Sequence, residues 1–188
     1  MPDGSRMSVP VSTSVFTLPN AISFARLCAV PLAIWLVLHQ RLAEAFWLFL
    51  AAGASDAVDG WLARRWGGSS VGAVLDPLAD KALMIGMYVT LVAVSELPDW
   101  LAILVVFRDV VIIGGVLVLT LSGQEVAIKP LAISKFNTLL QIVLVATTLF
   151  LAGFAVSIPL LKTVLIWAVA LTTLASGAAY VWTSARPR

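Results

Sequence analysis

Apolar residues in this chain neither alternate with polar ones nor keep to a single helical stripe; they run on in long blocks. Six such blocks can be drawn, at 20–38, 42–59, 73–94, 99–121, 132–154 and 159–182. Each comes near the roughly 20 residues that a helix needs to cross bilayer hydrocarbon. Backbone facing lipid must satisfy its own hydrogen bonds, so these blocks are predicted to be helices. The alternating ten-residue segments of a membrane β-barrel are absent. No internal repeat is visible, and no linker is long enough to divide domains. The expectation is therefore an all-α, polytopic integral membrane domain over residues 14–184. Residues 1–13, polar and rich in Ser and Pro, are expected to be disordered, and 185–188 form a short tail.

Composition agrees with the pattern. Of 188 residues, 61% are hydrophobic and 12% charged, and the mean hydropathy is +1.02. A soluble domain carries about twice that share of charge, so the bilayer is the expected solvent. The net charge of +2 and the lack of a basic tract argue against a nucleic-acid partner. The single cysteine, Cys28, excludes an internal disulfide and reads as a small packing residue.

The basic residues instead report topology. Arg64, Arg65 and Lys81 follow the second block, Lys129 and Lys135 follow the fourth, and Arg186 and Arg188 end the chain. The opposite connections hold His39, Arg41, Glu44, Glu96 and Asp99, then Lys162. Positive-inside counting predicts six crossings with both termini cytoplasmic. Trp35 and Trp100 then fall near the outer interface, and Trp61, Trp66 and Trp182 near the inner one.

The chemistry is concentrated in acidic residues. Of ten in the chain, Asp56, Asp59, Asp76 and Asp80 lie within 25 residues, at the ends of apolar blocks. The spacings of three and four put each pair on one helical face. A short loop joins the two helices, which are predicted to be antiparallel neighbours, so both pairs can meet. Any one of these aspartates would pass as an ordinary helix-end charge. Four together at a membrane boundary are costly and call for a compensating cation. An all-oxygen donor set, with no His or Cys nearby, suits Mg²⁺ or Mn²⁺ rather than zinc. Four aspartates suffice for two ions that clamp a phosphoryl centre. Gly60 and Ala63 keep one face of the second helix free of bulk, and Arg64 offers a planar donor fork to phosphate. The run Gly67, Gly68, Ser69, Ser70, Gly72 reads as a flexible turn with hydroxyl donors.

These residues resemble the signature of the CDP-alcohol phosphatidyltransferase family, Asp-x2-Asp-Gly-x2-Ala-Arg, a spacer, then Gly-x3-Asp-x3-Asp. Here it stands as DAVDGWLARRWGGSSVGAVLDPLADK, Asp56 to Lys81, and all eight signature positions match. Seven residues separate Arg64 from Gly72, one fewer than the usual pattern. LPNAISFAR at 18–26 is similar to the family's first helix. FRDVVII at 107–113 and KPLAISKFNTLLQ at 129–141 are similar to its fourth and fifth, those of the CMP-forming cardiolipin synthase branch in particular.

The resemblance implies roles. Asp56 and Asp76 would each bind both metals, Asp59 one, and Asp80 the second metal while also acting as general base. Gly60, Ala63, Arg64, Ser69 and Gly72 would border the nucleotide and diphosphate of CDP-diacylglycerol, and Asn20 the cytidine. A homodimer in the bacterial cytoplasmic membrane, or the mitochondrial inner membrane in a eukaryote, is implied, with the site facing the cytoplasm or matrix.

The acceptor is read from fewer residues. Arg26, Arg108 and Lys135 are the cations placed to hold an acceptor phosphate, with Asp109 a partner for Arg108 inside the fourth helix. Glycerophosphate-using members tend to carry a second lysine where this chain has Asn137. That favours phosphatidylglycerol as acceptor and cardiolipin as product. The rival with the same chemistry is a phosphatidylglycerophosphate synthase using glycerol 3-phosphate. The rival outside enzymes is a small divalent-cation transporter, but such sites usually lie at mid-membrane between repeated halves.

Overall fold

A computed structural model describes residues 18–66, 72–121 and 132–184, with side chains at 22, 24–55, 77–112, 114–115 and 132–180. These residues form six α-helices and no strand: α1 (Leu18–Leu38), α2 (Leu42–Trp66), α3 (Gly72–Ala93), α4 (Asp99–Leu121), α5 (Ala132–Gly153) and α6 (Pro159–Ser184). The apolar blocks and the helices coincide within a residue or two, except at α2. That helix runs seven residues past its apolar block, from Asp59 to Trp66. The added turns contain Leu62, Ala63, Arg64 and Arg65, all strong helix formers. The motif is thus carried on helix almost to its loop. Pro159 opens α6, where its missing N–H costs nothing. The segment 1–13, Pro130 and the tail lie outside the described residues.

Three short turns reverse the chain between α1 and α2, α3 and α4, and α5 and α6. Each has a residue in the left-handed region: Gln40 (φ 60°), Ser95 (φ 62°) and Ala155 (φ 54°). At the first, the Arg41 amide donates to the Leu36 carbonyl (2.8 Å) and the Gln40 amide to the Val37 carbonyl (3.0 Å), a Schellman cap. Glu96 to Leu91 (2.8 Å) and Ser95 to Val92 (2.9 Å) repeat it. All three turns lie at one end of the bundle, here the turn end. At Gly153 of α5, a Cβ would stand 2.5 Å from the Ala43 amide nitrogen of α2. From α6, Lys162 pairs with Glu96 at 2.7 Å.

α1 lies between α2 and α3 and packs on both, α5 packs on α2 and α6, and α4 packs on α6 and α3. Buried side chains recur three or four apart, as on α2 (Leu42, Ala45, Phe49, Ala52) and α3 (Ala79, Leu83, Met87, Leu91). The opposite faces are as apolar as the core: Ile103, Phe107 and Val110 of α4 and Leu160, Leu171 and Leu174 of α6 are exposed. Such outward faces suit lipid rather than water. By length and apolarity among the described residues, Ala132–Gly153 and Pro159–Tyr180 qualify as membrane spans, while α1 and α2 contribute the shorter apolar stretches Phe24–Leu38 and Leu42–Ser55. Cys28 corrects an expectation: it is exposed, not packed.

Candidate active site

The site end is opposite the turns, where the buried stripes of α1, α4 and α6 change from apolar to polar. On α1 the stripe Val37, Leu36, Ala33 ends in Arg26. On α4, Leu101, Ala102 and Val105 give way to Arg108 and Asp109, and on α6, Val169 and Ala170 give way to Thr173 and Ser176.

Arg26 is the junction of α1, α2 and α3. Its guanidinium is buried, and Nη1 donates to Asp80 Oδ1 at 2.8 Å. Nη2 reaches Ser55 Oγ at 3.5 Å, and that hydroxyl donates to the Ala52 carbonyl at 2.8 Å. Ser55 immediately precedes Asp56. One side chain therefore connects the turn of α2 where the first aspartate pair begins with the last aspartate on α3. The Asp80 side chain is itself 46% exposed. Pro77 stands within α3 between Asp76 and Asp80. It has no amide hydrogen to give the carbonyl one turn back, which loosens the helix at the motif.

A second ionic group flanks the first. Arg108 Nη1 donates to Asp109 Oδ1 at 2.8 Å, and Nη2 donates to Ser176 Oγ at 2.6 Å and to Ser134 Oγ. Asp109 Oδ2 accepts from Lys81 Nζ. Both members of the Arg108–Asp109 pair are buried. Four helices, α3 to α6, meet at these contacts. A turn deeper, buried Asn137 accepts from Thr172 Oγ1 (2.8 Å) and Thr173 Oγ1 (2.9 Å). Lys135 lies exposed at the start of α5.

The remaining predicted residues are placed by backbone alone. Asn20 is on α1, Asp56, Asp59, Gly60, Ala63 and Arg64 are on α2, and Gly72 and Asp76 are on α3. Their side chains, and Ser69 altogether, lie outside the described residues. A cavity of about 380 Å³ opens at the turn end between Glu96, Leu151, Ser157, Pro159 and Lys162. Its two charged walls pair with each other, so it offers none of the chemistry gathered at the other end.

The family model for CDP-alcohol phosphatidyltransferase matches residues 16–175, from the first helix to the polar end of α6. This chain belongs to the CDP-alcohol phosphatidyltransferase family. It is 36% identical over 193 residues to the cardiolipin synthase (CMP-forming) / mitochondrial hydrolase fusion protein of Schizosaccharomyces pombe, covering 91% of this chain and 31% of that protein. To the chloroplastic CDP-diacylglycerol–glycerol-3-phosphate 3-phosphatidyltransferase 1 of Oryza sativa subsp. japonica it is 36% identical over 182 residues, 87% of this chain and 55% of that one. The chain thus spans less than two thirds of the length of either relative. A CDP-diacylglycerol–glycerol-3-phosphate 3-phosphatidyltransferase of Bacillus subtilis is 32% identical over 185 residues, 88% of this chain and 94% of that protein.

CDP-alcohol phosphatidyltransferases generally depend on a divalent metal. The one described member of the aspartate set fits such an ion. Asp80 presents a half-exposed carboxylate beside the α2 turn that leads into Asp56, an oxygen donor of the kind hard cations prefer.

Reading the sequence missed the partner of Lys81 and the hydroxyls of Ser55, Ser134 and Ser176. A signal was present for the first. Asp109 sits beside Arg108 in the chain, so the two point about 100° apart on a helix. Arg108 takes one oxygen of Asp109 and leaves Oδ2 for a second cation, and Lys81 closes the motif on the neighbouring helix.

Proposed function

We propose that the chain transfers a phosphatidyl group from CDP-diacylglycerol to the hydroxyl of phosphatidylglycerol, giving cardiolipin and CMP. The observation that carries this reading is Arg26, whose guanidinium links Asp80 to Ser55 and so draws both halves of the aspartate motif to one place. Asp56, Asp59, Asp76 and Asp80 would hold two Mg²⁺ or Mn²⁺ ions. When bound, the ions would neutralise the donor diphosphate and the charge that develops on departing CMP.

The chain's own residues do the rest. Arg64, with Gly60, Ala63, Ser69, Gly72 and Asn20, binds and orients the CDP group. Asp80 takes the proton of the acceptor hydroxyl as that oxygen bonds to the phosphatidyl phosphorus. The bond from phosphorus to the bridging oxygen breaks, and CMP leaves with the electron pair. Lys135, exposed at the same end, and Arg108 supply positive charge for the acceptor's phosphate. Six crossings put this chemistry at the cytoplasmic or matrix boundary, where acyl chains stay in lipid while headgroups enter. The protein acts as a homodimer.

Glycerol 3-phosphate is the alternative acceptor, and the near full-length match to the Bacillus subtilis protein favours keeping it in view. The test is CMP release by the purified protein with Mg²⁺, CDP-diacylglycerol and one acceptor at a time. Cardiolipin should form from phosphatidylglycerol. An Asp80→Asn variant should still bind donor but turn over about 10²- to 10⁴-fold more slowly, the usual span for a lost general base. Product from glycerol 3-phosphate alone would overturn the acceptor assignment. No CMP with either would overturn the transferase reading.

A further inference from the structure

Asp80 and Lys81 are consecutive on α3, and each is held by a charge from a different helix. Asp80 is bonded by Arg26 of α1 at 2.8 Å. Lys81 is bonded by Asp109 of α4. Neighbouring residues point about 100° apart around a helix axis, so the two pairs pull on α3 in different directions at the same height. A single pair would let α3 rotate about it. Two pairs in different directions fix the rotation.

The anchors are themselves fixed. Arg26 also reaches Ser55 of α2. Asp109 is gripped by Arg108, whose other nitrogen is bonded to Ser134 of α5 and Ser176 of α6. The clamp therefore rests on α1 and α2 on one side and on α4, α5 and α6 on the other. It acts where α3 needs it, because Pro77 has removed one of the helix's own hydrogen bonds a turn earlier.

We propose that Arg26 and Lys81 are positioning residues, which together set the rotation of α3 and hence the direction in which Asp80 is presented to substrate. Neither need touch substrate. Arg26 holds Asp80 through Oδ1. Lys81 acts through Asp109. The proposal rests on the reading of Asp80 as the base of the transfer.

The experiment compares the full chain with Arg26→Gln, Arg26→Lys, Lys81→Met, Lys81→Arg and the Arg26→Gln/Lys81→Met double variant, each as monodisperse protein. CMP release gives kcat and the donor KM. Hydrogen exchange of the α3 amides is followed without metal or lipid substrate. Each neutral variant should lose about 100-fold in kcat, the scale of a small misplacement of a reacting group, with donor KM within about threefold. The Lys and Arg replacements should restore most of that loss. Because both residues fix one rotation, the double variant should fall well short of the product of the single losses. In the metal-free protein, both neutral variants should speed exchange around Asp80. Unchanged kcat, losses confined to KM, or multiplicative losses in the double variant would each overturn the clamp while leaving the transferase reading in place. An unsubstituted protein that released no CMP with either acceptor would overturn both.

Discussion

At the turn end, α1, α2, α4, α5 and the turn between α3 and α4 meet through Leu36, Val37, Leu42, Ala45, Leu97, Leu101 and Leu149, and the approach is close enough that Gly153 leaves no room for a methyl group against Ala43. At the site end the same stripes carry Arg26, Arg108, Asp109, Asn137, Thr173 and Ser176, and helices are tied by charge and hydroxyl rather than by contact. The difference follows from the solvent. In lipid, apolar side chains gain little by leaving the surroundings, so close backbone approach and van der Waals contact must hold the turn end together. Buried charges are costly there and persist only when paired and hydrogen-bonded. The molecule thus separates a rigid apolar half, indifferent to chemistry, from a polar half whose pairs fix where carboxylates point. Lys162–Glu96 and Arg41–Glu44 belong to the turn end but lie part-exposed or exposed at its rim, where ion pairs contribute little.

The largest effect should come from breaking the polar half. Asp109→Asn removes the carboxylate between Arg108 and Lys81 and leaves a buried guanidinium without its counter-charge. Breaking one member of a buried pair typically costs about 3–5 kcal/mol. A thermal melt in detergent should show a loss of that order, and the surviving folded protein should also turn over slowly. If the melting point held, the Arg108–Asp109 pair would not be what ties α4 to α5 and α6, and the contrast between the two ends would lose its basis.

Much of this contrast was legible in the sequence, but unevenly. Helix positions follow from block length because lipid imposes helices on any long apolar run. The aspartate pairs follow from spacing because three and four residues return to one helical face. Two things did not follow. The extension of α2 to Trp66 was hidden because its last turns are polar, and hydropathy reports burial in lipid rather than helix. The Lys81–Asp109 and Arg26–Asp80 contacts join residues far apart in the chain, and nothing local distinguishes a lysine that marks topology from one that holds a neighbouring helix. Arg26 illustrates the point: counted as an acceptor cation from its charge and depth, it stands in the fold against a carboxylate.

An intermediate effect should separate the halves. Gly153→Val would drive a branched side chain into the Ala43 backbone, where a Cβ already meets nitrogen at 2.5 Å. Backbone cannot move aside as a flexible side chain does, so α5 and α2 must part. Overpacking of this kind usually costs about 1–3 kcal/mol. The melting point should fall, while kcat per folded molecule stays near that of the unsubstituted protein because Asp80 is at the other end. A fall in kcat with an unchanged melt would show that the two halves are coupled more tightly than their construction suggests.

The smallest effect has the opposite sign. Ala155 holds φ 54° at the end of α5 and is exposed. An L-residue in that region carries roughly 1–2 kcal/mol of steric cost, which glycine escapes. Glycine in turn loses more entropy on folding, by about 0.5–1 kcal/mol. The first effect exceeds the second, so Ala155→Gly should raise stability by about 1 kcal/mol or less. The substitution removes only a methyl group that has no core contact to lose. A modest rise in melting point with unchanged kcat is expected. A fall would mean that the alanine methyl packs against the turn's neighbours in the membrane, and that the turn end owes its rigidity to side chains as well as to backbone caps.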